Sequence, residues 1–409
     1  MIKNKIIFIG GTPLSNIQSQ KFLINGFLSQ NIDVEYWNLS KIYYSSKALA
    51  IYFGGHPDYG KNDFSIERKF SSIKDVKKAL TEVSSNTIFC YMDGFMQSGF
   101  WLLRCFKRNK FRYYIGPWRT THSYDINARS LLLRIIDSIK DGSLIRKFKG
   151  STQTNIDNIL IYKLKIFLYK STNYYQKPAF VIGTGSLGRS QLTNMFSVKN
   201  FVSIRSNDVD WDKLPNLIDQ KYCIYVDESI CYSPNTGLNE ETSTNSTSND
   251  IKKFNQNMCR VFDEVEKKLG VKVIIACSGK FNYDDDSFYG SREIIYGKTN
   301  QLIQHAELVL GHASSGIYQS IISKKPVIIL NDPSFIESKS LQIEPFADWL
   351  NVKVLVTTDF SSKDIDNLDN NEKHFKKIEI QYFADNEVVD DYQAFIIKYF
   401  VDVIKQEDA

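Results

Sequence analysis

The sequence predicts an α/β chain of two Rossmann-like domains facing a cleft. Three observations predict it. The chain opens on a short apolar strand over residues 5–9, closed by Gly10-Gly11-Thr12-Pro13 and followed by a helical pattern and a second strand. Strand, glycine turn, helix, strand is how a parallel, doubly wound sheet begins. The same grammar restarts near residue 222, and 409 residues exceed one ordinary core but suit two of about 200 residues each.

The elements follow in order. Residues 15 to about 30 carry Ile17, Phe22, Leu23, Phe27 and Leu28 at helical spacing. Residues 34–39 read as the second strand. Residues 87–91 read as another, running into Met92-Asp93-Gly94, and 111–115 as a further one, stopped by Gly116-Pro117. Helices are expected over 126–140 and 156–172, and 179–182 is read as the last strand of this half. In the second half, strand 222–226 ends in Asp227-Glu228-Ser229. Residues 235–250 form a polar, low-complexity loop. A helix over 251–269 places Phe254, Met258, Val261, Phe262, Val265 and Leu269 on one side and stops at Gly270. Strand 271–276 ends in Cys277-Ser278-Gly279-Lys280. The alternation continues with helix 299–306, strand 307–310, loop 311–315, helix 316–323, strand 327–330, helix 343–350 and strand 352–357. An amphipathic helix over 391–405 ends the chain. The domains are therefore expected at 1–205 and 206–390, with a C-terminal helix at 391–409.

Composition narrows the class. Hydrophobic residues make up 43% and aromatics 13%, enough for a packed core and unlike a disordered chain. Six scattered cysteines form no CxxC pair, so no metal or disulfide framework is expected and a reducing compartment is. The apolar run at the N-terminus is too short for a signal peptide. No stretch approaches the roughly 18 uncharged apolar residues of a membrane span. A cytoplasmic protein is expected.

The net charge is +5, unevenly spread: residues 96–170 hold 15 Lys/Arg against 4 Asp/Glu, a local excess of +11. Trp101, Phe106, Phe111, Tyr113, Tyr114 and Trp118 are interleaved there. Two readings stay open. One is a solvated basic face over core aromatics. The other is a peripheral surface for the inner membrane, meeting anionic lipid headgroups or a lipid pyrophosphate acceptor. No nucleic-acid module is present, so no nucleic-acid partner is expected.

The strongest constellation spans 296–330, YGKTNQLIQHAELVLGHASSGIYQSIISKKPVIIL. A buried strand ends in Gly311-His312-Ala313-Ser314-Ser315-Gly316, where a helix begins. Small residues let a ligand approach the backbone, and the helix opening favours phosphate. Ser314 and Ser315 either cap the helix or bind an anion. His312 reads as a phosphate contact or as a satisfied loop histidine. Lys298 and Thr299 open the preceding helix, with Thr299 as its N-cap. Asp227, Glu228, Ser278 and Lys280 stand at strand ends of the same half and border the same cleft; Lys280 either neutralises a phosphate or is a solvated loop lysine. In the N-terminal half, Asp93 follows a strand and precedes glycine. It reads as the base that takes a proton from an acceptor hydroxyl, or as a turn aspartate. Gly10, Gly11 and Thr12 line the same rim and would approach acceptor or donor phosphates.

Three patterns imitate other chemistry. Residues 183–188 fit GxGxxG with Asp208 placed 20 residues on, the dinucleotide spacing. They follow a domain's last strand and precede a poor helix opening, so no nicotinamide or flavin cofactor is expected. Asp208-Val209-Asp210 fits a metal-binding DxD but falls at the linker between domains. Asp284-Asp285-Asp286 lacks EF-hand spacing. No metal is expected.

The opening IIFIGGTPLS…VEYWNLSKI, the YCIYVDES strand and the 296–330 segment together resemble GT-B glycosyltransferases of bacterial capsule and O-antigen synthesis. The resemblance implies a nucleotide-sugar domain in the C-terminal half, an acceptor domain in the N-terminal half, and a C-terminal helix packing back on the latter. The order of motifs is also similar to bacterial sialyltransferases, which carry an acidic-Gly motif, a His-Pro motif and a Ser-Ser motif. Asp93-Gly94 and Ser314-Ser315 match the first and third. Cys277-Ser278 stands where His-Pro would follow the strand, which departs from a CMP donor. The resemblance thus implies a metal-independent transferase from a nucleotide-sugar donor to a glycan or lipid-linked acceptor. A nucleotide-sugar epimerase and a non-catalytic glycan- or partner-binding protein are the alternatives.

Overall fold

The computed structural model describes residues 5–14, 19, 24–46, 49, 64–84, 86–91, 99–116, 165, 167–228, 248–277, 283, 288–335, 337–366, 368, 371–389, 394–395 and 398–399. The chain divides into two compact units. Unit 1 is Met1–Tyr43, Asp63–Arg205 and Ala384–Ala409; unit 2 is Tyr44–Asn62 and Ser206–Phe383.

Unit 1 is built on seven strands: β1 Lys5–Gly10, β2 Asp33–Asn38, β3 Glu67–Lys69, β4 Thr87–Tyr91, β5 Arg112–Ile115, β6 Val181–Gly183 and β7 Phe201–Ser203. They lie in the order β3-β2-β1-β4-β5-β6-β7, and every neighbouring pair is parallel. Alternation along the strands feeds two core faces. Ile7, Ile9, Trp37, Phe89, Tyr91 and Tyr113 pack on one. Ile6, Phe8, Tyr36, Ile88, Cys90 and Tyr114 pack on the other. Burial on both faces is what a parallel sheet requires. It also explains the unbroken apolar run of β1, where each buried Ile or Phe contributes about 1.5–3 kcal/mol. Helices α1 Ile24–Ser29, α2 Ile73–Glu82, α3 Phe100–Asn109 and α4 Gly185–Phe196 join these strands. Phe27 is buried as expected, whereas Leu28 faces solvent. At the C-terminus, Phe395 and Tyr399 bring their rings to 6.3 and 4.5 Å from that of Phe180. The end of the chain thus packs on unit 1, as the sequence implied.

The stretch 179–182 is not the last strand of this half. Gly183 ends β6, α4 starts at Gly185, and β7 returns parallel to β6. The GxGxxG therefore does open a strand–helix–strand unit. Its glycine has a packing reason, however. A Cβ on Gly183 would lie 2.7 Å from Leu192 Cδ1 and 3.0 Å from the Phe201 ring. The turn also follows β6, next to the edge strand β7 and away from the reversal between β1 and β4.

Unit 2 carries β8 Tyr222–Asp227, β9 Lys272–Cys277, β10 Ile294–Tyr296, β11 Leu308–Gly311, β12 Val327–Asn331 and β13 Val354–Val356, in the order β10-β9-β8-β11-β12-β13. All pairs are parallel. Helix α5 Ser248–Leu269 buries Phe254, Met258, Val261, Phe262 and Val265 against one face of this sheet. Leu269, counted with them from the sequence, is 38% exposed at the helix end. Gly270, at φ +66°, ends the helix in the left-handed region. Helices α6 Thr299–His305 and α7 Tyr318–Ile322 follow, and α8 Glu337–Leu350 begins earlier than the expected 343.

The residues around the DxD are not a loose linker. The Gln319 side chain accepts from Asp210 N at 2.7 Å and donates to Asp210 O at 3.1 Å. Gln304 accepts from Leu214 N at 2.8 Å and donates to Asp212 O at 2.9 Å. Residues 208–215 are a strap held to unit 2 through main-chain groups that nothing else in an extended segment would satisfy.

Candidate functional site

The strand order of each sheet reverses at one place: between β1 and β4 in unit 1, and between β8 and β11 in unit 2. In open α/β sheets ligands settle outside the carboxyl ends of the strands at such a reversal. The residues at these strand ends are therefore the ones to examine.

In unit 2 the reversal gathers most of the described candidates. Asp227 ends β8 and is buried, 3% exposed. Its Oδ2 accepts from Tyr283 Oη at 2.5 Å and from Cys277 Sγ at 3.1 Å. Burial and the Asp227 carboxylate together push the Tyr283 phenol and the Cys277 thiol well above their ordinary values, so both act as neutral donors. Asp227 is thus committed to its neighbours, and Glu228 follows it half-buried. At the end of β9, Gly297 N donates to Cys277 O at 2.9 Å, which sets the opening of α6 beside β8. Lys298, exposed, is the N-cap residue there and Thr299 the first helical residue. Thr299 is therefore not the cap, and no side chain caps this helix.

The loop after β11 sits alongside. Ser314 accepts from Gly316 N at 3.1 Å and caps a short 3-10 turn over Ser315–Ile317; Ser315 is exposed. A Cβ on Gly316 would meet Val226 Cγ1 at 2.7 Å and Thr299 Cγ2 at 3.7 Å. One on Gly311 would meet Ile317 Cδ1 at 2.7 Å. These glycines let the turn close onto β8 and its own helix; their missing side chains make room for protein, not for a ligand. His312 departs furthest from its expected place. It is fully buried, with Nε2 at 2.9 Å from Tyr225 Oη and Nδ1 at 2.7 Å from Leu330 O. A histidine with both nitrogens engaged in the core holds β8, β11 and β12 together and does not meet a phosphate.

In unit 1 the loop after β1 is shaped by partners with no signal in the sequence. A Cβ on Gly10 would lie 2.0 Å from Tyr36 Oη, and that phenol donates to Thr12 O at 2.6 Å. Glu67, from the charged β3, accepts from Leu14 N at 3.1 Å and from Asn38 Nδ2 at 2.9 Å. Gly10 is thus a glycine because Tyr36 crosses it, while Gly11 is buried and Thr12 half-buried. Asp93, Ser278 and Lys280 lie outside the described residues. Of the aromatics between 96 and 170, Phe106, Phe111, Tyr113 and Tyr114 are core and Trp101 is half-buried; Trp118 lies outside the described residues.

Among the described residues no group of three or more His, Cys, Asp or Glu is arranged to hold a metal ion, and no helix is long and apolar enough to cross a membrane.

No family model and no curated protein matches the sequence. Solved structures do match in shape. The calicheamicin glycosyltransferase CalG4 is 10% identical with a TM-score of 0.50, over 99% of this chain and 100% of its own. The glycosyltransferase SnogD from Streptomyces nogalater is 10% identical at a TM-score of 0.48, over 97% and 100%. A UDP-GlcNAc 2-epimerase from Methanocaldococcus jannaschii is 11% identical at 0.45, over 97% and 99%. With its two parallel-sheet units, each wound outward from a central reversal, and its end-to-end likeness to CalG4, the chain has the GT-B fold.

Proposed function

We propose that this chain is a glycosyltransferase, moving a sugar from a nucleotide-sugar donor to a hydroxyl on a glycan or lipid-linked acceptor. The observation that carries the reading is the gathering of the Lys298-Thr299 helix opening and Ser314-Ser315 beside the end of β8, at the strand reversal of unit 2. Hydroxyls, main-chain N–H groups and one exposed lysine suit the oxygens of a nucleoside diphosphate or monophosphate. In transfer, the bond from the sugar carbon to the nucleotide phosphate breaks as the acceptor oxygen bonds to that carbon. Charge grows on the departing phosphate, where Ser314, Ser315 and Lys298 would meet it. The acceptor hydroxyl gives its proton to a base. Asp93 keeps that assignment on its sequence context alone, two positions along the chain from the last residue of β4. Asp227, held by Tyr283 and Cys277, supports the strand end. The family resemblance points to bacterial surface polysaccharide as the acceptor class. It makes CMP the first nucleotide to try, with Cys277-Ser278 in place of His-Pro favouring another.

The test is thermal unfolding against CMP, UDP, GDP, dTDP, NAD and the matching nucleotide sugars. One nucleotide series should stabilise the fold selectively, by roughly 2.7 kcal/mol at about 100 times its dissociation constant. A folded Ser314→Ala, Ser315→Ala double variant should lose that shift. A shift with NAD alone, or with no nucleotide, would sink the donor assignment. Conversion of the donor without any acceptor would identify an epimerase, and binding without turnover a non-catalytic protein. Full turnover by a folded Asp93→Asn variant would remove the base assignment.

A further inference from the structure

Unit 1 carries an outer face that the transfer reading leaves unused. Helices α2 and α3 lie on the same side of the sheet: Val76, Ala79 and Leu80 of α2, and Phe100, Leu102, Leu103 and Phe106 of α3, enter one core cluster. Their outward sides are therefore fixed. Arg104, Lys107 and Arg108 of α3 are exposed, as are Lys74, Lys77 and Lys78 of α2. The two sets are close enough that Lys77, Arg108 and Arg104 all act on the Cys105 thiol, whose value burial raises. The residues after 165 extend the face. Arg104 lies 4.8 Å over the ring of Tyr174, and Gln176 N donates to Leu103 O at 3.2 Å. Lys170 is exposed. Phe167 and Tyr174 are 63% and 43% exposed.

Ordinary helix chemistry accounts for part of this. Lys107 and Arg108 sit in the last turn of α3, where cations complement the helix dipole. It does not account for Arg104 or for the lysines of α2, nor for the exposed Phe167 on the segment that also carries Lys170 and Tyr174. Asp75 is the only acid on α2 apart from Glu82. Asp75 bonds Ser72 at the helix start, and Glu82 faces Arg68 at 3.6 Å. Among the described residues these cations form no ion pair, and Arg104 lies over an exposed tyrosine; such a surface matches a bilayer boundary. Headgroup phosphates meet the cations there, and the aromatic edge enters the interface.

We propose that this face docks the protein on an anionic lipid bilayer. The transfer reading supplies a reason, since a lipid-linked acceptor lies at such a surface, but the docking itself is testable without it. The full chain is sedimented with phosphatidylcholine vesicles, with and without phosphatidylglycerol. Binding is expected only to the anionic vesicles and should weaken as salt is raised. Each cation near an anionic surface contributes about fivefold to partition, so the Arg104→Glu, Lys107→Glu, Arg108→Glu variant should lose at least on the order of 100-fold. Phe167→Ser should weaken binding at every salt concentration. Arg104→Lys with Arg108→Lys should retain it, which a purely structural role for the Arg104–Tyr174 contact would not allow. The nucleotide-induced thermal shift of each variant, read in parallel, reports folding and the donor site separately. Equal binding to neutral vesicles, no binding at all, or undiminished binding by the charge-reversed variant overturns the proposal. Preference of the same face for single-stranded nucleic acid over the vesicles does so too.

Discussion

The phenol of Tyr225 lies 2.9 Å from Nε2 of His312, at the centre of unit 2, while Nδ1 of the same ring lies 2.7 Å from the carbonyl of Leu330. A carbonyl can only accept, so Nδ1 carries the proton and Nε2 accepts from Tyr225. One neutral imidazole thereby ties β8, β11 and β12.

Replacing His312 with Phe keeps the bulk and removes both bonds. The polar groups of Tyr225 and Leu330 then lose their histidine partner inside the core. The expected cost is about 2–4 kcal/mol in urea unfolding. Tyr225→Phe should cost about 1 kcal/mol. Because the two share one bond, the double variant should fall short of the sum by at least about 0.5 kcal/mol. Strict additivity would mean the Tyr225–His312 bond contributes nothing.

A second prediction concerns the loop after β1. A Cβ on Gly10 would lie 2.0 Å from Tyr36 Oη and 2.8 Å from its Cζ. Gly10→Ala should therefore destabilise by about 1–3 kcal/mol, the usual range for overpacking. Removing the hydroxyl in Tyr36→Phe clears the nearest atom, so the paired variant should recover part of that loss. If Gly10→Ala leaves the midpoint of urea unfolding unchanged, Tyr36 does not fill the space.

The strand ends were legible where burial writes a continuous apolar run, as at 87–91 and 222–226. β3 and β10 were not. Glu67-Arg68-Lys69 is entirely charged, and Ile294–Tyr296 has three residues, too few for periodicity to register. The candidate site divides in the same way. Capping by Ser314 was one of two readings its residue type offered, and the structure shows that cap. The roles of Gly10, Gly316 and His312 depend on Tyr36, Val226 and Tyr225, which lie 26, 90 and 87 positions away along the chain. A glycine or histidine at a strand end looks the same in sequence whether it faces a ligand or a neighbouring side chain.

The return of the chain to unit 1 predicts a pH dependence. Asp385 is partly buried, which alone would raise its carboxyl. The Glu387 N–H and the Arg189 guanidinium, both bonded to it, outweigh that and hold it below its ordinary value. Arg189 Nη2 lies 3.1 Å from it. A carboxylate whose folded value is depressed adds stability above its unfolded value, near 3.9, and loses it as pH falls through the folded value. Asp385→Asn should therefore cost stability at pH 7, about 1–2 kcal/mol for charge-assisted bonds to a partly exposed partner. The gap between variant and parent should close below about pH 4. A gap that stays constant down to pH 3 would show that the carboxylate charge is not what Arg189 recognises.

The strap over 208–215 yields the most direct structural test. Gln319 is buried and uses both ends of its amide: Oε1 accepts from Asp210 N at 2.7 Å, and Nε2 donates to Asp210 O and Ser323 Oγ at 3.1 Å each. From α6, His305 Nε2 reaches Leu214 O at 2.7 Å and Gln301 donates to Pro215 O at 2.9 Å. Gln319→Leu keeps the shape and removes both of its bonds to Asp210, leaving the half-buried Asp210 N–H without that acceptor and its carbonyl with only the 3.4 Å contact from Gln304 Nε2. Local opening of the strap should become easier by about 2–3 kcal/mol while the rest of the sheet is unchanged. Trypsin reports that opening at Lys213, inside the strap. Cleavage there should accelerate by about 30-fold or more, in the regime where cleavage follows the open population. The cuts at exposed lysines of α2 should keep their rate. Equal acceleration at both places would mean that Gln319 supports unit 2 as a whole rather than the strap.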